Sequence, residues 1–309
     1  MIRNLGKLLP NTYARPRALP TPREPATGIY GSIGNYIEVL KPHETSLLIF
    51  IGGAAAVIAG AGHPALNPFL LSLVAIALGS AGCNGLTNYI DREVDARMQR
   101  TRQRALPSGR INPAQKVLPL TTGLVVVALA LAWFLHPLSF IAGLGGTVAA
   151  VVGRKTAMSH MLGGISGNAP LLIGWFAINP EADLTLFFLC LLIFVWVPLH
   201  VWSVMIAYRD DYLKAGLGIF PVTWEIQDII KVLLTLSLFL YAISLALYFA
   251  GHLGLLYLVA ANLLGLTMLL ATARLLRGKA SQDAWRVYKL SAYPYLGLIF
   301  LAMCLDLWL

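Results

Sequence analysis

The 309-residue chain has only 14 acidic residues, and they are not spread evenly. Asp91, Glu93 and Asp95 stand together, as do Asp210 and Asp211, and each group follows a long apolar stretch. The first group ends the string Asn84-Gly-Leu-Thr87-Asn88-Tyr89-Ile90-Asp91-Arg92-Glu93-Val94-Asp95. On a helix, Asp91 and Asp95 share one face a turn apart, with Asn84, Thr87 and Asn88 one and two turns below them. Glu93 points elsewhere. Arg100, Arg102 and Arg104 follow, then Pro107-Ser108-Gly109-Arg110. Two like charges at i,i+4 repel and gain nothing by themselves. The plain structural alternative is a helix end capped in water by mixed charge. Against it, the amide and hydroxyl groups below the acids lie at membrane depth, where polar groups usually face a cavity or a partner. Hard carboxylate oxygens suit Mg²⁺, which shares its octahedral shell among one or two carboxylates, water and substrate phosphates. Arginines then hold the remaining phosphate oxygens. The pattern describes a Mg²⁺–diphosphate site at a membrane surface. No G-x-x-x-x-G-K-[ST] loop is present to support an NTP-driven reading.

The second group lies in Trp196-Val-Pro198-Leu-His200-Val-Trp202, then Tyr208-Arg209-Asp210-Asp211-Tyr212 and Lys214-Ala-Gly216. Pro198 is expected to kink its helix. His200 falls about 15 Å below the acids along a helix. It reads either as a hydrogen-bonded bundle residue or as a ligand or acid–base group. Trp196, Trp202, Tyr208, Tyr212 and Trp224 read either as interfacial belt residues or as π faces for a cationic intermediate.

The elements that must position these residues follow from composition. The chain is 58% hydrophobic and 12% charged, where soluble domains run to roughly 45–50% and about 25%. Its mean hydropathy is +0.72. A soluble globule and a disordered chain are both excluded. Nine stretches are long and apolar enough to cross a bilayer: about 45–62, 66–90, 117–135, 137–153, 160–178, 183–207, 228–250, 253–275 and 290–308. The connectors after the first, third, fifth and seventh are short turns without Lys or Arg. All 23 Lys and Arg fall in the N-terminal tail and the alternate connectors, or at the margins of the spans beside them. That split predicts nine spans with the N-terminus in the cytoplasm and the C-terminus outside. The net charge of +9 is therefore read as membrane orientation, not as a nucleic-acid footprint. Residues 1–44 read as a basic, flexible cytoplasmic tail without a signal peptide, and 45–309 as one nine-helix domain. Pro10, Pro16, Pro20, Pro22 and Pro25 argue against a long amphipathic helix in the tail. That favours a plain tail over a mitochondrial transit peptide, and hence a bacterial plasma membrane. Cys83, Cys190 and Cys304 are far apart in apolar runs and read as buried hydrophobes.

These residues resemble the UbiA superfamily of intramembrane prenyltransferases. The most specific stretch is Asn88-Tyr-Ile-Asp91-Arg-Glu-Val-Asp95-Ala-Arg-Met98-Gln-Arg100-Thr101-Arg-Gln-Arg104-Ala-Leu106, similar to N-x-x-x-D-R-x-x-D-x-x-M-x-R-T-x-x-R-P-L. Within the superfamily the chain looks most like the heme branch, the protoheme IX farnesyltransferases. Gly163-Gly164 through Asn168-Ala-Pro170-Leu-Leu-Ile-Gly174-Trp175 is similar to that branch, as is Pro198-Leu-His200-Val-Trp202 leading to Arg209-Asp210-Asp211-Tyr212 and Phe220-Pro221-Val222. Quinone-type members usually carry an acid near the position of His200. Thr87 stands where the family has an Asn, and Lys41-Pro42-His43 where it has Lys-Pro-Arg.

The resemblance implies a nine-helix UbiA-type bundle in which Asp91 and Asp95 hold one Mg²⁺ and Asp210 and Asp211 hold or orient a second. It implies diphosphate binding by Arg92, Arg100, Arg104, Lys155 and Arg209 with Asn84 and Asn88. Farnesyl diphosphate would be the donor and protoheme IX the acceptor, with His200 positioning the heme or acting on protons. The lipid bilayer is the expected surroundings, and a downstream heme-modifying enzyme or terminal oxidase assembly a possible neighbour. Two alternatives stay open: another acceptor, such as an aromatic quinone precursor, and a transporter whose acids bind ions.

Overall fold

The computed structural model describes residues 29–153, 159–277 and 280–309. All regular structure among them is helical. The order is α1 (Ile29–Leu40), α2 (Pro42–Ala59), α3 (Leu66–Arg97), α4 (Leu118–Leu135), α5 (Pro137–Val152), α6 (Ser159–Ile178), α7 (Leu184–Ala207), α8 (Arg209–Lys214), α9 (Ile226–Ala250), α10 (Leu255–Ala273), α11 (Ala280–Leu290) and α12 (Leu298–Asp306). A π-helical turn, Ser291–Gly297, joins α11 to α12 into one traverse. Among the described residues, eight helices are long and apolar enough to cross a membrane, counting that joined traverse as one. The chain is a multi-pass membrane protein.

Two expectations need adjusting. The fourth expected span, 137–153, forms the 16-residue α5, about 24 Å long and short of the roughly 30 Å hydrocarbon core. His136 caps its start, with Pro137 as its first residue, and Gly153 caps its end. Residues 29–44, expected within a flexible tail, contain α1 and the first residues of α2. Their order has a polar cause. Arg110 donates to both Glu38 carboxylate oxygens, at 2.9 and 2.8 Å, and to Asn35 Oδ1 at 2.7 Å. Glu38 also accepts the Ala105 N–H at 3.0 Å. Val39 packs with Ala105, Leu106, Ile111 and Val117 in a small core of its own. The α1 helix is thus tied to the charged connector between α3 and α4.

Each short connector joins an antiparallel helix pair, so the short and charged connectors lie at opposite ends of the bundle. Trp308 donates to the Gly62 carbonyl at 2.8 Å. Asp306 accepts the N–H groups of Gly254 and Tyr257, capping α10 where its first N–H groups lack partners. These contacts close the end away from the acids. The main core joins α2, α6, α7, α9, α10 and the α11–α12 traverse.

Helices meet closely where glycine allows it. A Cβ on Gly174 of α6 would run into the Gly52 carbonyl of α2, and one on Gly52 into Ile76 and the Pro170 carbonyl. Backbone-to-backbone approach of this kind is how helices associate in lipid, where apolar burial alone gives little drive. Gly174→Ala is expected to cost about 1–3 kcal/mol through overpacking, read as a lower thermal midpoint in detergent. Gly123→Ala, with nothing within 4 Å of the added Cβ, should leave that midpoint unchanged or slightly higher.

Candidate active site

The α3 helix runs seven residues past the expected end of its span, so all three first-group acids sit on regular helix. Asp91 is 4% exposed and Asp95 5%. Buried carboxylates are costly unless compensated by charge and hydrogen bonds. Asp95 meets Arg104 at 3.1 Å. The turn after the helix folds back over it: Thr101 donates its hydroxyl to the Asp95 carbonyl at 2.9 Å.

Below the acids, the polar stripe locks α3 to the elbow between α1 and α2. The Asn88 amide donates to the Val39 carbonyl at 2.7 Å and the Asn84 amide to Thr45 Oγ1 at 3.2 Å. Thr45 in turn donates to the Leu40 carbonyl at 3.1 Å. Thr87 donates to the Asn84 carbonyl, so it serves its own helix. The elbow turns on Lys41, in the left-handed region at φ 51°, a conformation costly for any residue with a Cβ. Pro42 then starts α2 with a φ already suited to a helix.

Two cavities adjoin this stripe. One of about 580 Å³ opens among Lys41, His43, Glu44, Asn88, Asp95 and Arg104, with Ile37, Val39 and Leu106 beside these charged and polar groups. An apolar one of about 260 Å³ lies inside the bundle, lined by α2 to α6 with mostly small side chains, Gly79, Ala128, Gly146 and Ala169 among them. Asn84 and Thr87 form its polar end. Asp91 lies on the same helix one turn beyond Thr87, and Asp95, a turn further, lines the first cavity.

The second acid group is drawn to the first by Asp211. Its two carboxylate oxygens accept the backbone N–H groups of Gln99 and Arg100, at 2.7 and 3.0 Å. Arg100 leans over the Tyr208 ring, 5.2 Å from its centre, and its buried Nε has no hydrogen-bond partner. Burial pushes the Tyr208 phenol up, Arg100 opposes that, and Asp211 adds to it. Asp210 is exposed.

From Tyr208 a column of rings runs inward. Tyr208 meets Trp285 edge-on at 5.5 Å, Trp285 stacks on Tyr288 at 5.0 Å, Tyr288 on His200 at 4.4 Å, and His200 on Trp196 at 4.7 Å. Of the expected aromatics, Trp196 and Tyr208 belong to this column. Trp202 and Trp224 instead pack edge-on against Phe220.

Not every expected site residue points at the acids. Arg92 pairs with Glu93 at 2.8 Å and lies over Tyr89. Arg209 donates to the carbonyls of Val222 and Trp224, both at 2.8 Å, and braces the 217–225 loop. Lys155 lies outside the described residues. Conversely, Glu38, Glu44, Tyr288 and Ser291 surround the site without having stood out in the sequence. Glu38 is an isolated acid, and the importance of Tyr288 and Ser291 depends on a π turn that no motif announces.

The donor set fits Mg²⁺. Among the described residues no three or more Asp, Glu, His or Cys converge. A site of two carboxylates one turn apart suits an ion that completes its shell with water and substrate phosphate. The unpartnered Arg100 Nε suits an anion.

The comparisons with known proteins agree. The sequence matches the UbiA prenyltransferase family over residues 46–301. It is 37% identical, over 89% of this chain and 88% of the relative, to a protoheme IX farnesyltransferase from Desulforudis audaxviator. In fold it is similar to a digeranylgeranylglyceryl phosphate synthase, with a TM-score of 0.72 and 18% identity over 89% of this chain and 98% of the other. It is also similar to a UbiA homolog from Archaeoglobus fulgidus bound to GPP and Mg²⁺, with a TM-score of 0.61 and 16% identity over 87% and 99%.

If Asp211 is a clamp between the two acid groups, Asp211→Ala loses charge-assisted bonds of about 1.5–3 kcal/mol each and lowers the thermal midpoint. Asp210→Ala should stay within about 0.5 kcal/mol of the parent, as exposed substitutions do. Equal midpoints for the two variants would refute the clamp.

Proposed function

We propose a specific reaction for this chain, which belongs to the UbiA prenyltransferase family and is a prenyltransferase. It transfers the farnesyl group of farnesyl diphosphate to a vinyl group of protoheme IX, releasing diphosphate. The observation that carries this reading is the buried pair Asp91 and Asp95 on α3, a helix that lines an apolar cavity with Asn84 and Thr87 and a second cavity bearing charged groups with Asn88 and Asp95. A prenyl diphosphate has that same division, an apolar chain joined to a doubly charged head. The heme acceptor rests on the protoheme IX farnesyltransferase relatives and on the presence of His200.

In this reading the farnesyl chain lies in the cavity lined by small side chains, and the diphosphate sits above it. Asp91 and Asp95 hold Mg²⁺ on the diphosphate; when bound, the ion neutralises charge on the phosphate oxygens. Arg104 and Arg100 stabilise the negative charge that grows on the leaving diphosphate as the C–O bond breaks. Lys155 is expected to join them. Asp211 contributes through the loop it clamps, holding Arg100 in place. Asp210 offers the second acid pair's exposed carboxylate. Asn84 and Asn88 fix the helix face beneath the head group. The column from Tyr208 to Trp196 offers π faces to an allylic cation, which meets the vinyl group before water completes a hydroxyethylfarnesyl product.

The charge distribution supports nine spans, the N-terminus in the cytoplasm and the site facing the cytoplasm of a bacterial cell, with α5 as the shortest traverse. A downstream heme-modifying enzyme or oxidase assembly would receive the product.

Purified protein incubated with farnesyl diphosphate should release diphosphate only when protoheme and Mg²⁺ are both present, with heme O seen by mass spectrometry. Asp91→Ala and Asp95→Ala should each abolish turnover while leaving the protein inserted in the membrane. Near-parental rates in both would sink the metal assignment. Turnover with an aromatic quinone precursor in place of heme would redirect the acceptor.

A further inference from the structure

His200 is held on three sides. Trp196 and Tyr288 cover its two faces, and Nδ1 lies 2.8 Å from Ser291 Oγ. Ser291 is fully buried and begins the π turn. That turn has a local cause. Pro294 lacks the N–H that would bond the carbonyl four residues back, and Ala292 leaves helical geometry at φ −73°, ψ −123°. The Ser291 carbonyl is turned out and accepts Trp196 Nε1–H at 2.5 Å. A π turn inside an α-helix is often found at a functional site.

Donor accounting then bears on the imidazole. A serine hydroxyl has one proton and two lone pairs. When Ser291 gives that proton to the Tyr288 carbonyl, 2.9 Å away, it accepts from His200. In that arrangement Nδ1 carries the hydrogen, and the neutral ring keeps its unshared pair on Nε2. Tyr288 also makes a backbone hydrogen bond with the imidazole, no side chain among the described residues bonds Nε2, and the residue retains part of its accessible surface. A histidine that ligates a metal commonly donates its other ring N–H to an oxygen acceptor, which sets tautomer and ring orientation.

We propose that Ser291 is the positioning residue that fixes His200 as the Nδ1–H tautomer, so that Nε2 is presented as an axial ligand to the iron of the porphyrin acceptor. The ligation half rests on the heme reading above; the tautomer half does not. The alternative use of the same lone pair, accepting a proton, is separated by experiment. Ligation is favoured because the stacked rings and the Ser291 bond fix the imidazole on both faces and at Nδ1, leaving it little freedom to turn between donor and acceptor positions.

The test has two arms on full-length protein in lipid nanodiscs. Without heme, ring-¹⁵N-labelled histidine is read by NMR, with His200→Ala used to assign the signal among the six histidines. The expected signal is a protonated Nδ1 and a bare Nε2. Ser291→Ala should release the ring into a mixture of tautomers, and Ser291→Thr, which keeps the hydroxyl, should preserve the parent signal. A parent His200 protonated at Nε2 overturns the proposal, whatever the acceptor is. With ferrous protoheme added, resonance Raman should show an iron–histidine stretch that His200→Ala removes. Ser291→Ala should move that band to lower frequency and weaken heme binding about 10–100-fold, and Ser291→Thr should restore both. A band unmoved by Ser291→Ala refutes the positioning role. Heme-dependent diphosphate release without a His200 band overturns ligation while leaving the heme reading standing. Failure of heme to support release at all overturns the heme reading instead.

Discussion

Two carboxylates buried one turn apart at the end of an apolar helix set the terms for the rest of the structure. Taking Asp91 and Asp95 out of water costs several kcal/mol each unless charge and hydrogen bonds answer them. The chain answers with a folded connector. Residues 98–113 curl back over the end of α3, with Thr101 on the Asp95 backbone and Arg104 on its side chain. The α1 helix then holds that connector down through Glu38 and Arg110. Neither α1 nor the connector has a large core of its own. Each is ordered because it serves the acid pair or a group that serves it.

The same economy joins the two halves of the bundle. One half, α2 to α6, carries the apolar cavity and the first acids; the other, α7 to α12, carries the aromatic column. They meet at the acid end through Asp211 on the N–H groups of Gln99 and Arg100, and through Arg100 over Tyr208. Tyr293 adds a third link, donating its hydroxyl to the His43 carbonyl at 2.7 Å and lying 2.7 Å from Ser46 Oγ. A change in the spacing of the halves would therefore move Arg100, the rings and the mouth of the cavity beside Asp95 together. Residues that the resemblance implied as ligands divide accordingly. Arg104 faces the acids, whereas Arg209 braces the 217–225 loop and Asp211 spends its oxygens on backbone.

The sequence made the strongly periodic or strongly charged features readable and left the cooperative ones hidden. The apolar traverses could be placed to within a few residues because lipid imposes length and apolarity on each one separately. The Asp91–Asp95 face was legible because helix geometry is local. The order in residues 29–40 was not. Its cause is a bond from Glu38 to Arg110, 72 residues away, and no local pattern carries that. Proline-rich sequence upstream pointed to a plain tail, but the helix starts after the prolines end. The roles of Asn84 and Asn88 were half legible: their depth signalled a partner, yet the partners are Thr45 and the Val39 carbonyl. Ser291 was invisible, since it matters only through a ring 91 positions earlier.

Small side chains around the apolar cavity have a cost and a use that are best understood together. Gly79, Ala128, Gly146 and Ala169 bring α3, α4, α5 and α6 close, yet their lack of bulk leaves a cavity where larger residues would pack. Open apolar volume forfeits dispersion contacts, so an apo bundle of this kind is less stable than a filled one. A prenyl chain entering the cavity restores those contacts, and that gain depends on a chain but not on a charged head. The head is recognised separately, at the buried acids and Arg104. Binding energy from the unreactive chain can then be used to hold the reacting C–O bond at the acids, the arrangement by which remote binding is turned into rate.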